Sequence, residues 1–121
     1  MQDLTGQVIG CAIEVHRHLG PGLLENTYQQ CLAHELNSAG ISFKIESPAP
    51  VNYKGINLDC GYRLDLLVED KLILELKSVT KILPIHEAQV LTYMKLAKKE
   101  IGLLINFNSM ILKNGIKRFV L

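Results

Sequence analysis

Tyr62-Arg63-Leu64-Asp65-Leu66-Leu67-Val68, a polar turn Glu69-Asp70-Lys71, then Leu72-Ile73-Leu74-Glu75-Leu76-Lys77: the reading of this chain hangs on this stretch. Two short aliphatic runs flank a tight turn, the pattern of adjacent antiparallel strands spanning Tyr62–Val68 and Leu72–Ser78. Their near-continuous aliphatic character is that of strands covered on both faces. Yet each carries charge where burial is expected. Side chains alternate along a strand, so Glu75 and Lys77 point to one face. If the hairpin turns through three residues, Asp65 stands opposite Glu75; a two-residue turn shifts the match by one. Either way two carboxylates and an ammonium group converge.

Carboxylates brought that close repel each other unless a cation lies between them. Hard oxygen ligands suit Mg²⁺ or Mn²⁺. Such an ion acidifies water and offsets charge on a phosphate, the requirements of phosphodiester hydrolysis. The bland alternative is an edge strand with a solvent-facing stripe closed by an ordinary salt bridge. Spacing alone does not separate the two, because Glu69-x-Lys71 repeats the pattern inside a polar turn.

Outward from this hairpin, residues 3–19 predict a first amphipathic helix through Leu4, Val8, Ala12, Val15 and Leu19. Gly20-Pro21-Gly22 stops it, and a second helix is expected from Leu23 to Ala39, ended by Gly40. Ile41–Glu46 and Val51–Tyr53 read as short strands around Pro48-Ala49-Pro50, with Lys54-Gly55 as the next turn. Pro84 opens a third helix to about Lys99, and Ile101–Phe107 is an apolar strand. Asn114-Gly115, between Met110–Lys113 and Ile116–Leu121, predicts a hairpin because both residue types tolerate positive φ. The expected order is α-α-β-β-β-β-α-β-β in one mixed α/β domain, residues 1–121.

Two helical constellations bear on the same centre. Glu25 and Tyr28 lie one turn apart after the glycine break, and Glu25 falls beside Leu32 and Leu36 on the apolar face. A carboxylate there asks for a cation or hydrogen-bond donors; the alternative is a first-turn glutamate favoured by the helix dipole. His86, Gln89 and Tyr93 share one stripe of the third helix, suited either to a phosphate or to plain amphipathic packing. His86-Glu87 is not a zinc-protease motif, since position 90 is Val.

Composition narrows the classes. With 121 residues and 48 % hydrophobic content the chain is large enough for one real core. No apolar run reaches the roughly 20 residues of a membrane span. Met1–Thr5 has no basic region or apolar stretch of a signal peptide, so a cytoplasmic location is expected. Cys11, Cys31 and Cys60 form no C-x-x-C pair and read as free, buried thiols. A net charge of +1 argues against a protein that coats DNA, but not against a nuclease whose carboxylates offset its lysines.

These residues together resemble the small "GxxExxY" proteins of the PD-(D/E)XK nuclease superfamily. The name-giving motif stands as Gly22-Leu23-Leu24-Glu25-Asn26-Thr27-Tyr28, preceded by Val15-His16-Arg17-His18-Leu19-Gly20-Pro21. The superfamily signature stands as Asp65 and Glu75-Leu76-Lys77 with nine residues between, its usual Pro-Asp relaxed to Leu64-Asp65. Leu83–Gln89 with Tyr93 is similar to the Gln-x-x-x-Tyr helix of RecB-like nucleases. The resemblance implies a restriction-endonuclease-like core, a central mixed β-sheet flanked by helices. It implies Mg²⁺ or Mn²⁺ held by Glu25, Asp65, Glu75 and the carbonyl of Leu76, with Lys77 positioning the attacking water. Gln89, Tyr93 and Tyr28 are then expected to contact nucleic acid, DNA rather than RNA. His16 matches the pattern without a defined role, and His86 is a further candidate. A non-catalytic module that binds nucleic acid or protein is the competing expectation; a structural subunit of a larger complex or a homodimer, with the C-terminal hairpin as its exposed edge, is a third.

Overall fold

A computed structural model describes residues 3–121; the expectation that Met1–Thr5 is not a signal peptide falls partly on Met1 and Gln2, which lie outside them. The first helix, α1, spans Leu4–Leu19 and buries Val8, Ala12 and Val15. Asp3 caps it by accepting the Gly6 amide at 2.8 Å, and Gly20 ends it at φ 70°. After the Gly-Pro-Gly break, α2 covers Glu25–Ser38 and turns Tyr28, Leu32 and Leu36 inward.

The central sheet comprises β1 (Phe43–Pro48), β4 (Arg63–Val68), β5 (Leu72–Lys77), β6 (Ile101–Asn106) and β7 (Ile116–Val120), in that spatial order. Every neighbouring pair is antiparallel except β5–β6, which is parallel. That parallel step needs a crossover, and α3 (Pro84–Ala97) supplies it. Between β1 and β4 the chain makes a separate hairpin of β2 (Val51–Tyr53) and β3 (Ile56–Leu58). The α/β class, the three helices and the mixed central sheet agree with the expectation from sequence.

Helices cover both sheet faces. α1 and α2 pack on Leu66, Leu74, Leu76 and Leu103, where Tyr28 stacks on Phe107 with centroids 4.4 Å apart. On the other face Val90 and Met94 of α3 meet Ile73, Leu67 and Leu104. Gly102 permits this approach: a Cβ there would lie 2.8 Å from Met94 Sδ. β5, between both layers, is buried from Leu72 to Leu76, as its aliphatic run predicts.

Three expectations are corrected. Ile56–Leu58, three residues left unassigned in the expected order, is a strand because Lys54 and Gly55, at φ 50° and 85°, turn it back on β2. Asn114-Gly115 does not close a hairpin. Met110–Lys113 is not a strand; Leu112–Gly115 forms a 3-10 turn and β7 pairs with β6 instead. Gly115 is required for space rather than for positive φ, since a Cβ there would lie 2.6 Å from the Asn106 carbonyl oxygen. The three cysteines are unpaired, but none is buried, and Cys60 is exposed because it lies in the loop between β3 and β4.

Candidate active site

The β4–β5 turn takes three residues, 69–71, so counting along the strands places Asp65 across from Glu75. The paired ladder nevertheless stops at Leu66↔Leu74. Beyond it the Leu76 amide donates to Asp65 Oδ2 at 2.8 Å. On the other side of β4, Ile45↔Leu66 and Ser47↔Leu64 pair while Glu46 and Asp65 between them do not. Glu46 sits at φ 51°, rare for a residue with a side chain. Leu66 packs toward α1 and α2, whereas Leu64 packs toward α3, although a regular strand would turn both the same way. Asp65 thus stands at the point where β4 twists free of both neighbours.

Gln29 holds that point in place. Its side chain is buried, and Nε2 donates to the Asp65 carbonyl and to Glu46 Oε1, both at 3.0 Å. Asn106 does similar work on the other side of β5, where it pairs with Lys77. It is buried at the end of β6 and exchanges hydrogen bonds of 2.9 and 3.1 Å with the backbone of Val79, fixing the chain just after Lys77.

Glu75 is the electrostatic anomaly. It is only 5 % exposed and its Oε1 has no hydrogen-bond partner. Burial, and then the adjacent Asp65 carboxylate, push its pKa up to about 10, against the pull of Lys77. The Glu75 carboxyl is therefore protonated at neutral pH unless further positive charge arrives. Lys77, half-buried at the end of β5, projects from the same strand face.

Beside Asp65 a cavity of about 220 Å³ is lined by Glu25, Asn26, Gln29, Glu46, Asp65 and Leu76. Glu25 enters it from the first residue of α2 and accepts the Ser78 amide at 3.4 Å. Ser78 Oγ in turn donates to the Leu23 carbonyl at 2.6 Å, joining the end of β5 to the glycine loop. Glu25, Asp65 and Leu76 thus meet around one cavity, while Glu75 neighbours Asp65 without lining it. Among the described residues, no three His, Cys, Asp or Glu side chains are arranged as a ready-made cation cage.

Gln89 and Tyr93 are brought to the same corner. Gln89 Nε2 donates to the Tyr93 hydroxyl at 3.2 Å. Burial foremost, then the charges of Glu75, Tyr62 and Asp65, raise the Tyr93 pKa, so the helix stripe faces the carboxylates. The remaining candidates lie elsewhere. Tyr28 is wholly buried; its hydroxyl donates to the Gly20 carbonyl at 2.6 Å and accepts the Leu23 amide at 3.1 Å, leaving no surface for a substrate. It clamps the glycine loop that leads into Glu25. His16 Nε2 donates to the Ser109 carbonyl at 2.7 Å and ties α1 to the loop after β6. His86 Nδ1 accepts the Leu83 amide at 2.9 Å, a cap on the start of α3.

Sequence reading missed Gln29 and Glu46. Gln29 had a signal, one helical turn beyond Glu25 on a face that otherwise buries apolar residues. Glu46 had none, because Lys44-Ile45-Glu46 is the alternation of any half-exposed strand.

Searches among curated proteins and among solved structures each returned no match. The model of the PD-(D/E)XK nuclease superfamily, by contrast, matches residues 2–119. With an α/β fold and an acidic fork at the signature positions, matched over nearly its whole length, the chain belongs to the PD-(D/E)XK nuclease superfamily.

Proposed function

We propose that the chain is a metal-dependent nuclease that hydrolyses phosphodiester bonds in nucleic acid, DNA in preference to RNA. The observation that carries this reading is Glu75: a buried carboxyl with an unpartnered oxygen, pressed against a second carboxylate at an open strand fork. Such a pair is costly in a merely structural role, and a divalent cation relieves it. The oxygen donors present fit Mg²⁺ or Mn²⁺, with Glu25, Asp65, Glu75 and the Leu76 carbonyl as the residues that would hold it. When bound, the ion supplies acidification of water and neutralisation of charge on the phosphate.

The chain's own groups do the rest. Lys77 carries a fixed positive charge on the Glu75 face, where it orients the attacking water and favours its deprotonated form. Gln89 and Tyr93, hydrogen-bonded to each other, present an amide and a hydroxyl to the phosphate or the flanking nucleotide. The end of β5 that carries Lys77 is held by Asn106 and Ser78, so the ammonium works from a rigid support.

A second reading, a module that binds protein or a short nucleic-acid segment without cutting it, draws on the small size of the chain and its net charge of +1, which gives little grip on a long polyanion. Cleavage of labelled single- and double-stranded DNA with Mg²⁺, Mn²⁺ or EDTA separates the two. Metal-dependent cutting abolished by Lys77→Ala and by Asp65→Ala, both still folded, is the expected result. Inert wild type, or cutting that survives both substitutions, would establish the binding module instead.

A further inference from the structure

Next to the acidic fork lies a second groove, of about 390 Å³, whose walls include Val51, Tyr62, Ile85, Thr92, Tyr93 and Leu96. Its lining is largely apolar, yet it is open: Tyr62 is 46 % and Ile85 67 % exposed. The Tyr62 and Tyr93 rings meet at 55° with centroids 6.1 Å apart, so they do not stack on one another. Gln89 and Thr92 add polar groups to the lining.

We infer that this groove is a stacking subsite for one unpaired nucleobase, so that the site takes single-stranded rather than fully duplexed nucleic acid. The inference rests on the phosphodiesterase reading of the neighbouring carboxylates. A base has flat apolar faces and a polar edge, which matches aromatic and aliphatic walls bordered by an amide and a hydroxyl. The groove is also continuous with the fork. Tyr62 precedes Asp65 by three residues on one run of chain, and Tyr93 is near enough to Glu75 and Asp65 to feel their charge. A phosphodiester seated at the carboxylates therefore places its flanking nucleoside at this groove. In an intact duplex that base is paired and stacked, and its faces are not available.

The chain contains no tryptophan, so 2-aminopurine fluorescence reports stacking against a dark background. The probe is a single-stranded oligonucleotide carrying 2-aminopurine, titrated with Lys77→Ala protein in Mg²⁺ so that the strand stays whole. Binding is expected to quench the probe. Adding Tyr62→Phe preserves the quench, while Tyr62→Ala abolishes it and weakens binding about tenfold, with an unchanged melting midpoint. The same sequence as a duplex shows no quench, and a strand with abasic positions binds both proteins equally weakly. Undiminished quenching in the Tyr62→Ala protein, or an abasic strand bound as tightly as the intact one, would overturn the base subsite alone. Absence of binding by every nucleic acid probe would overturn the phosphodiesterase reading with it.

Discussion

Replacing Glu75 by glutamine should stabilise the protein in the absence of divalent metal, increasingly so as pH rises. The Glu75 carboxyl ordinarily titrates at 4.5 but in the folded chain at about 10. Below 4.5 the folded and unfolded chains both keep the proton and no penalty exists. Between the two values the unfolded chain releases it and the folded chain retains it, so stability falls by about 1.4 kcal/mol per pH unit. Over the interval from 4.5 to pH 7 this amounts to about 3 kcal/mol, a ceiling set by the unfolded carboxyl and insensitive to the folded value while that stays well above 7. Glutamine is nearly isosteric and cannot ionise, and its amide can donate to Asp65 as the protonated carboxyl does. Urea unfolding of wild type and Glu75→Gln at pH 5, 6, 7 and 8 in EDTA provides the measurement. The gap should widen with pH in EDTA and narrow when Mn²⁺ is added, because only wild type offers the ion a carboxylate there. Parallel stability curves would refute the reasoning, since they would mean that Glu75 ionises alike in both states.

Tyr28→Phe keeps the stack on Phe107 but strands the Gly20 carbonyl and the Leu23 amide, a loss of ~1–3 kcal/mol readable in the urea midpoint. Faster amide exchange confined to residues 20–25 would show that the damage reaches the loop leading into Glu25. Gln29→Leu removes both hydrogen bonds that pin the twist at Asp65; DNA cleavage should fall well below the effect on oligonucleotide binding, and equal losses in the two assays would count against a positioning role. Gly115→Ala forces a Cβ against the Asn106 carbonyl, where backbone cannot give way, and should cost ~1–3 kcal/mol. Gly102→Ala should cost less, since the atom it meets first is the sulfur of a flexible methionine, and melting temperatures of the two variants give the comparison.

Much of this protein is local and therefore legible in sequence. Helical periodicity and the Gly20-Pro21-Gly22 stop set α1 and α2, because burying one face and ending at a positive φ are demands on neighbouring residues. The aliphatic runs with Asp65, Glu75 and Lys77 declared both the paired strands and the charge they carry inward, since alternation alone puts Glu75 and Lys77 on one face. Other features were decided by chain that is distant in sequence. Asn114-Gly115 has hairpin chemistry, but β7 finds a better partner in β6, and the glycine serves a close approach to Asn106 instead. Tyr28 was expected at the substrate only through the family resemblance; the packing of α2 on Phe107 and the glycine loop shows that both its ring and its hydroxyl are spent. Gln29 and Glu46 joined the site for the same reason. The twist that frees Asp65 arises where β1, β4 and β5 meet, and which side chains close such a junction depends on three-dimensional contact rather than on spacing along the chain.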